Sequence, residues 1–451
     1  MRGRAKPVQN RINRLKRHLG KTMTLDGREI SYDEAITEVI QHCVRSANKK
    51  LQSGWQMTTN EIALSYPATY TSAQRQRLIE LAEKASLADG TQVHVSGTIA
   101  EPAAAGLDYL SRFGSDKETT VLVYDLGGGT FDLALVALYP KGRTNGDGDY
   151  YYDILAVDGL EDVGGGEFDE IMYQLIEQKL QVPLNPSHKA ALRAEAEKIK
   201  KDLTFDAYAD AEVLYNNEYL TVRVTREEFE TASRELLMRT IEATKKMFER
   251  HSNQKPETII LTGGASQMPM VKRALEEAFP EYKGDEMKHK EDKIQISNPS
   301  RAIADGAARY GTAEAMNDIA EKAEAASVVQ TRVGYDLGIR FYHSVDDESG
   351  YISTYIPAGT PIPYQAAYQN STTLHEDQRY SGFTVYEANK AHPDSEQVAE
   401  DYTEIMKVSL DHGREVPKGT RNESRLCIDK LGVLTIEAAR GRSTRRNRSR
   451  V

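Results

Sequence analysis

The sequence predicts an α/β domain followed by an all-β sandwich. Apolar strands and amphipathic helices alternate from Ser31 to the Ala- and Glu-rich stretch Ala313 to Ala326. Within that region two β-rich runs between Thr119 and Leu138 are separated by the glycine tip Asp125-Leu126-Gly127-Gly128-Gly129-Thr130. Beyond Thr331 the texture changes to short alternating runs broken by Gly, Pro, Asn and Asp, the pattern of a sandwich.

Taken in order, Ser31 with Glu34 forms a capping box, and Ala35, Ile36, Val39, Ile40, Cys43, Val44, Ala47 and Leu51 follow at helical spacing. Glu61 to Tyr66 reads as a buried strand stopping at Pro67, and Ser72 to Leu87 as a helix. The two runs around the glycine tip read as a hairpin. Helices are predicted around Gly166 to Leu180, Ser187 to Leu203 and Arg226 to Arg250. The strand Glu257 to Thr262 then meets Gly263-Gly264 and a helix with Pro269 in its first turn. Ala313 to Ala326 reads as a helix running into a short polar linker. The predicted division is therefore 1–315 for the α/β domain, 316–330 for helix end and linker, 331–440 for the sandwich, and 441–451 for an Arg-rich disordered tail.

An apolar share of 39% against a charged share of 28% is ordinary for a globular chain with a full core, so disorder is not the expectation. Only Cys43 and Cys427 are present, which excludes a disulfide framework and points to a reducing, cytoplasmic compartment. No apolar run approaches the ~20 residues of a membrane span. The net charge of −10 is segregated: Met1 to Lys21 and Arg440 to Val451 hold fourteen basic residues and no acid, leaving 44 basic against 68 acidic residues elsewhere, near −24. Such a body repels nucleic acid, which only the Arg-rich tail is suited to meet. Taken alone, that tail is a solvated segment.

Chemistry concentrates in Asp125-Leu126-Gly127-Gly128-Gly129-Thr130-Phe131-Asp132. Glycines let backbone N–H groups approach an anion closely, Thr130 adds a hydroxyl, and the flanking Asp125 and Asp132 suit the water shell of a Mg²⁺ that neutralises phosphate charge. Gly263-Gly264-Ala265-Ser266, between an apolar strand and a helix, places backbone free of bulk where a nucleotide can dock.

The octet, Glu101-Pro102-Ala103-Ala104-Ala105-Gly106-Leu107, Leu261-Thr262-Gly263-Gly264-Ala265-Ser266-Gln267-Met268-Pro269 and Asn298-Pro299-Ser300-Arg301-Ala302-Ile303-Ala304-Asp305-Gly306 occur in the order of the phosphate, connecting and adenosine motifs of the 70-kDa heat-shock (DnaK-type) chaperones, which this chain resembles over nearly its whole length. Gly164-Gly165-Gly166-Glu167-Phe168-Asp169 resembles that family's second glycine turn. The resemblance implies an actin-like (ribonuclease H-like), two-lobed ATPase domain joined to a peptide-binding sandwich. It implies ATP/ADP and Mg²⁺ as ligands, and unfolded polypeptide, a J-domain co-chaperone and a nucleotide-exchange factor as partners.

Carried over position by position, Asp125 and Asp132 organise the magnesium shell through water, Gly127, Gly128, Gly129 and Thr130 bind phosphate with Gly165, Glu101 assists the attacking water, and Lys16 stabilises the transferring phosphoryl group. Glu197, Lys200, Lys201 and Thr204 match the adenosine clamp, together with Gly263, Gly264, Ala265, Gln267 and Ser300; helical spacing alone makes the first four a solvated face. Gln267 stands where the family stacks an arginine on adenine, and Ser300 replaces its aspartate. Pro67 and Arg75 resemble the pair that relays nucleotide state to the sandwich.

In the sandwich, Leu337-Gly338-Ile339, Ile356 to Pro363, Val416-Pro417-Lys418-Gly419 and Ile428 to Ile436 carry the resemblance, and Ile339, Phe341, Tyr342 and Phe383 approximate a pocket for an extended apolar peptide. No counterpart of the family's opening Asp-Leu-Gly-Thr-Thr hairpin is read before Lys16, and none of its helical lid after Gly441, so the expectation is a truncated, lidless member with rapid substrate exchange and weak coupling. Tyr335-Asp336-Leu337-Gly338 echoes the opening motif but falls in the β region. Two readings stay open: an ATP-dependent chaperone, or a nucleotide-independent peptide-binding scaffold with a degenerate ATPase domain. A filament-forming ATPase is disfavoured by the sandwich.

Overall fold

Strand Thr119–Leu126 is apolar on both faces, and its alternate side chains enter two different cores. Leu122, Tyr124 and Leu126 join one, while Val121 and Val123 join the other, so the sheet that carries the glycine tip is covered on both sides. A computed structural model describes residues 15–25, 27–114, 117–140, 150–216, 218–285, 291–297, 301–320, 328–388, 402–440 and 447–450.

The central sheet runs Ile294–Ile296, Thr258–Thr262, Thr119–Leu126, Phe131–Pro140, Tyr150–Leu160, Val328–Arg332 and Pro361–Ile362. Thr119–Leu126 and Phe131–Pro140 pair antiparallel, as the hairpin predicts, with Asp125 directly opposite Asp132. Thr258–Thr262 lies parallel to Thr119–Leu126, which brings Thr262 beside Asp125 and delivers the Gly263 turn to the same sheet edge as the tip.

One face is covered by helices Gly165–Leu180, Pro186–Asp202 and Arg226–Arg250 and the hairpin Tyr208–Tyr215 with Glu218–Thr225. Arg226–Arg250 starts where Thr225 and Glu228 form a reciprocal capping box. The other face is covered by helices Glu101–Phe113 and Ala302–Ala320. These two helices pack so closely that a Cβ on Gly306 would lie 1.8 Å from the Ala104 carbonyl oxygen, so only glycine fits there. Beside them a small parallel pair, Glu61–Tyr66 with His94–Ala100, carries helices Tyr32–Trp55 and Ser72–Glu83.

The sandwich stacks the sheet Tyr351–Ile356, Leu337–Phe341, Gln378–Ala388, Tyr402–Val416 on the sheet Tyr364–Gln365, Arg421–Ile428, Leu434–Arg440, Asn447–Arg450, with Gln369–Thr372 also pairing Arg421–Ile428. Leu337, Ile339, Phe383, Val385, Leu426 and Ile436 are among its core residues.

Several local expectations are corrected. Ser31 caps its helix, but its hydroxyl accepts from Asp33 N at 3.2 Å, one position short of Glu34. The helix from Ser72 ends at Glu83, because the chain turns at Ala82 to Ala85 and bridges Ser86 to Gln92. The helix expected over 313–326 begins earlier, spanning Ala302–Ala320, and the linker expected after it lies partly in 321–327, outside the described residues. Val328–Arg332, the end of that predicted linker, is a strand laid parallel on Tyr150–Leu160, whose free edge offers backbone partners. Asn447–Arg450, in the predicted disordered tail, likewise pairs along the edge of Leu434–Arg440.

The sandwich rests on the helix Ser72–Glu83. Val433 shares an apolar cluster with Ile79, Ala82 and Val95, and Thr98 Oγ1 donates to Leu431 O at 2.9 Å. Arg332 Nε donates to Asp153 Oδ1 at 2.7 Å. Glu387 accepts from Ser72 N at 2.8 Å and lies 3.9 Å from Arg75, both side chains being less than a tenth exposed. Glu387→Ala leaves Arg75 buried without its counter-charge, a cost of about 3–5 kcal/mol. The expected outcome is separation of the sandwich, seen as an increased radius of gyration in small-angle scattering, with partial recovery in the Arg75→Ala/Glu387→Ala double variant. A single variant as compact as the parent contradicts a docking role for the pair.

Candidate functional site

Asp125 and Asp132 end their strands on either side of the glycine tip, 3% and 1% exposed. Asp132 accepts from Thr130 Oγ1 at 2.5 Å and from the backbone N–H of Ala68 at 2.7 Å. Asp125 Oδ1 is buried without a hydrogen-bond partner among the described residues. Burial raises Asp125 well above the ordinary carboxylate range, reinforced by the charges of Asp132 and Glu101. Burial, with Glu101 adding to it, pushes Asp132 up to about 7.

The tip is built from glycine turns that interlock. Gly127 N donates to Thr130 O at 3.0 Å, and from the start of helix Gly165–Leu180 Gly165 N donates to Gly127 O at 2.8 Å and Gly166 N to Gly128 O at 3.0 Å. Gly263 closes the third side at φ +80°, where a Cβ would stand 2.3 Å from Asp125 Oδ1 and 2.4 Å from Leu126 O. Ser266 Oγ accepts from Leu126 N at 3.0 Å, which holds the Gly263–Ser266 turn against the tip.

Lys16, in the short 3₁₀ turn Leu15–His18, reaches across to ion-pair with Glu101, the first residue of Glu101–Phe113. Tyr70 OH donates to Lys16 O at 2.7 Å and fixes that turn. Lys16, Glu101, Asp125, Asp132, Gly127 to Thr130, Gly165, Gly263 and Ala265 are thus gathered around one edge of the sheet, where Gly264 stands in open space.

Lys200 is buried and joins this group by donating to Gly165 O at 2.9 Å and pairing with Asp169 at 2.6 Å. Glu197 and Lys201 instead form an exposed pair at 2.6 Å on the same helix, and Thr204 sits just past its end. Gln267 is exposed, and Ser300 lies outside the described residues. Pro67 is buried immediately before Ala68, and Arg75 bonds Ser72 Oγ at 2.8 Å beside Glu387.

Of the predicted peptide pocket, Ile339 and Phe383 are buried in the sandwich core, Phe341 packs at its margin, and Tyr342 is exposed beneath Arg340. The four do not converge on one open surface.

Sequence reasoning missed Arg17, whose Nη atoms donate to Glu167 at 2.7 and 2.8 Å and whose Nε lies 3.7 Å from the Cβ position of Gly129. Its one signal was adjacency to Lys16. The Ala68 amide and Glu387 carried no sequence signal, since their partners lie 64 and 315 residues away.

A glycine-tipped hairpin with two dry, opposed carboxylates thus faces a strand–glycine–helix turn in an α/β domain that carries a docked sandwich. The sequence profile of the family described as Hsp70 protein matches residues 4–451, and the chain belongs to that family. Among the described residues no helix is long and apolar enough to cross a membrane.

Gly263→Ala forces a side chain into the positive-φ turn and against Asp125, and is expected to cost at least about 2 kcal/mol, read as a lower thermal midpoint. Asp132, ordinarily near 3.8 and held at about 7 when folded, binds its proton more tightly in the native chain. Its stabilisation is therefore complete below pH 3.8 and lost as pH rises through 7. Thermal unfolding without nucleotide or metal should show that loss between pH 5 and 8 about this value in the parent, and Asp132→Asn should flatten it.

Proposed function

We propose that the chain is an ATP-dependent chaperone of the 70-kDa heat-shock type, a two-lobed actin-like nucleotide-binding domain whose state governs a sandwich that holds extended segments of unfolded proteins. The observation that carries this reading is the pair of buried carboxylates at the glycine tip, with Asp125 Oδ1 left without a partner next to a turn that admits no side chain at Gly263. A buried acceptor of that kind fits a hydrated cation, and the pocket of glycines fits an anion brought with it.

In this reading Asp125 and Asp132 hold the water shell of Mg²⁺, which when bound supplies positive charge against the phosphates. Gly127 to Thr130, with Gly165, line the phosphate side: the Gly127 and Gly165 N–H groups fix the turn on Thr130 O and Gly127 O, and the Gly128, Gly129 and Thr130 backbone faces phosphate. Lys16 is poised to exchange its Glu101 partner for a phosphoryl oxygen, and Glu101, so released, orients the attacking water. Lys200 supports the Gly165 turn, and Glu197, Lys201, Thr204, Gly263 to Gln267 and Ser300 form the adenosine side. Pro67 and Arg75 link the site to the sandwich through Ala68 and Glu387. J-domain and exchange-factor partners follow from the family.

Isothermal titration of Mg-ATP tests it. Ionising Asp132 requires pH above about 7, so affinity should be higher at pH 8 than at pH 6, and Asp125→Asn should weaken it about tenfold or more. Absence of binding at both pH values rejects the nucleotide-dependent reading and leaves a nucleotide-independent peptide-binding scaffold.

A further inference from the structure

A single four-residue turn touches both the acid and the lysine of the site. Strand Glu61–Tyr66 ends at Pro67, and Tyr70 N donates to Pro67 O at 3.0 Å, closing a turn before Thr71 caps helix Ser72–Glu83. Ala68, inside this turn, gives its N–H to Asp132 Oδ1. Tyr70, at its end, sends its hydroxyl 2.7 Å to the carbonyl oxygen of Lys16, 54 residues earlier in the chain. Asp132 and Lys16 are therefore both tied to one piece of backbone.

The lysine turn cannot hold itself in place. Leu15–His18 is a single turn of 3₁₀ helix with no buried residue, and 3₁₀ geometry makes poor internal hydrogen bonds. The Lys16 side chain is 60% exposed although it ion-pairs with Glu101, so packing does not locate it. Contacts from outside do: Arg17 is held by Glu167, Gly20 N donates to Asp33 Oδ1 at 2.7 Å, and Arg77 Nε donates to the other oxygen of Asp33 at 2.9 Å. Those contacts act on the neighbours of Lys16. The bond from Tyr70 acts on Lys16 itself.

The surroundings of Tyr70 suit it to that task. It is 6% exposed, so its ring is fixed by packing, and a carbonyl oxygen can only accept the hydrogen its hydroxyl offers. Burial, and after it the charges of Glu101, Glu161 and Asp132, raises its pKa, so the phenol keeps that hydrogen throughout the pH range in which Asp132 titrates. A phenylalanine would fill the same space and leave the Lys16 carbonyl without this donor. Holding the lysine by its backbone also leaves its four-carbon stem free. The ammonium can then leave Glu101 for a phosphoryl oxygen while its Cα stays in place.

We propose that Tyr70 is a positioning residue for Lys16, its buried hydroxyl fixing the backbone from which the ammonium reaches the phosphoryl group. The proposal rests on the ATP-hydrolysing reading above, and Tyr70→Phe in the full chain tests it by two measurements. In hydrogen-exchange mass spectrometry without nucleotide, the amides of 15–21 should exchange about tenfold faster in the variant, with those of helix Ser72–Glu83 unchanged. In single-turnover assays with Mg-ATP, the hydrolysis rate should fall about tenfold while the Kd for Mg-ATP from isothermal titration stays within about twofold, and Tyr70→Phe should have no further effect on a Lys16→Met background. A purely structural role for Tyr70 predicts weaker Mg-ATP binding and an equal loss of rate in both backgrounds. Unchanged exchange over 15–21, an unchanged hydrolysis rate, or equal losses in both backgrounds overturns the proposal. A parent that does not turn over ATP removes the hydrolytic reading and the proposal with it.

Discussion

Two carboxylates facing each other across a hairpin and sealed from water are the constraint on which the rest of the architecture depends. Asp125 and Asp132 are neighbours only because the strands on either side of the glycine tip pair in register. They stay dry only because the Gly263 turn and the Pro67–Ala68 segment close over them. Burial and neighbouring like charges oppose ionisation of both, so the pair holds protons more tightly than exposed carboxylates do. The glycines follow from the same crowding: at Gly263 a methyl group would collide with Asp125 itself.

The docking of the sandwich divides its energetics between apolar and polar contacts. Val433, with Leu431 beside it, inserts into the cluster of Ile79, Ala82 and Val95, which supplies non-directional attraction. Arg75 with Glu387, and Arg332 with Asp153, are buried or half-buried pairs whose desolvation offsets much of their mutual attraction. Their contribution lies in register: an unmatched charge at either position would be far more costly than an exposed one, so a misaligned interface is penalised. These two pairs and the Val328–Arg332 strand hold the sandwich against the α/β domain.

The local part of the candidate site was legible in the sequence because its chemistry is written within a few residues. The octet holds tip, hydroxyl and both acids, and the Gly263 turn is announced by an apolar strand before it and Pro269 after it. Secondary structure was legible where one face is apolar and the ends are capped, as for Arg226–Arg250. Strands such as Val328–Arg332 and Asn447–Arg450 were not, since what makes them strands is a backbone edge offered elsewhere in the chain. The Tyr70 hydroxyl escaped for a related reason. A tyrosine after Pro67 is ordinary in a sequence, and only the fold brings it to the carbonyl of Lys16, 54 residues away.

Asp132 also connects the two halves of the molecule. Its carboxylate receives the Ala68 N–H, and Ala68 lies three residues before Thr71, the cap of the helix that bears Ser72 and Arg75. A hydrogen bond to an ionised carboxylate is about twice as strong as one to its neutral form. Protonation near pH 7 therefore loosens the hold of the hairpin on the Pro67–Ala68 segment. Ser72 N and the Arg75 guanidinium both face Glu387, so the helix that follows this segment carries one side of the buried pair at the sandwich. A short stretch of backbone from Ala68 to Arg75 thus joins the carboxylate at the glycine tip to the pair that seats the sandwich, with no strand of the central sheet between them.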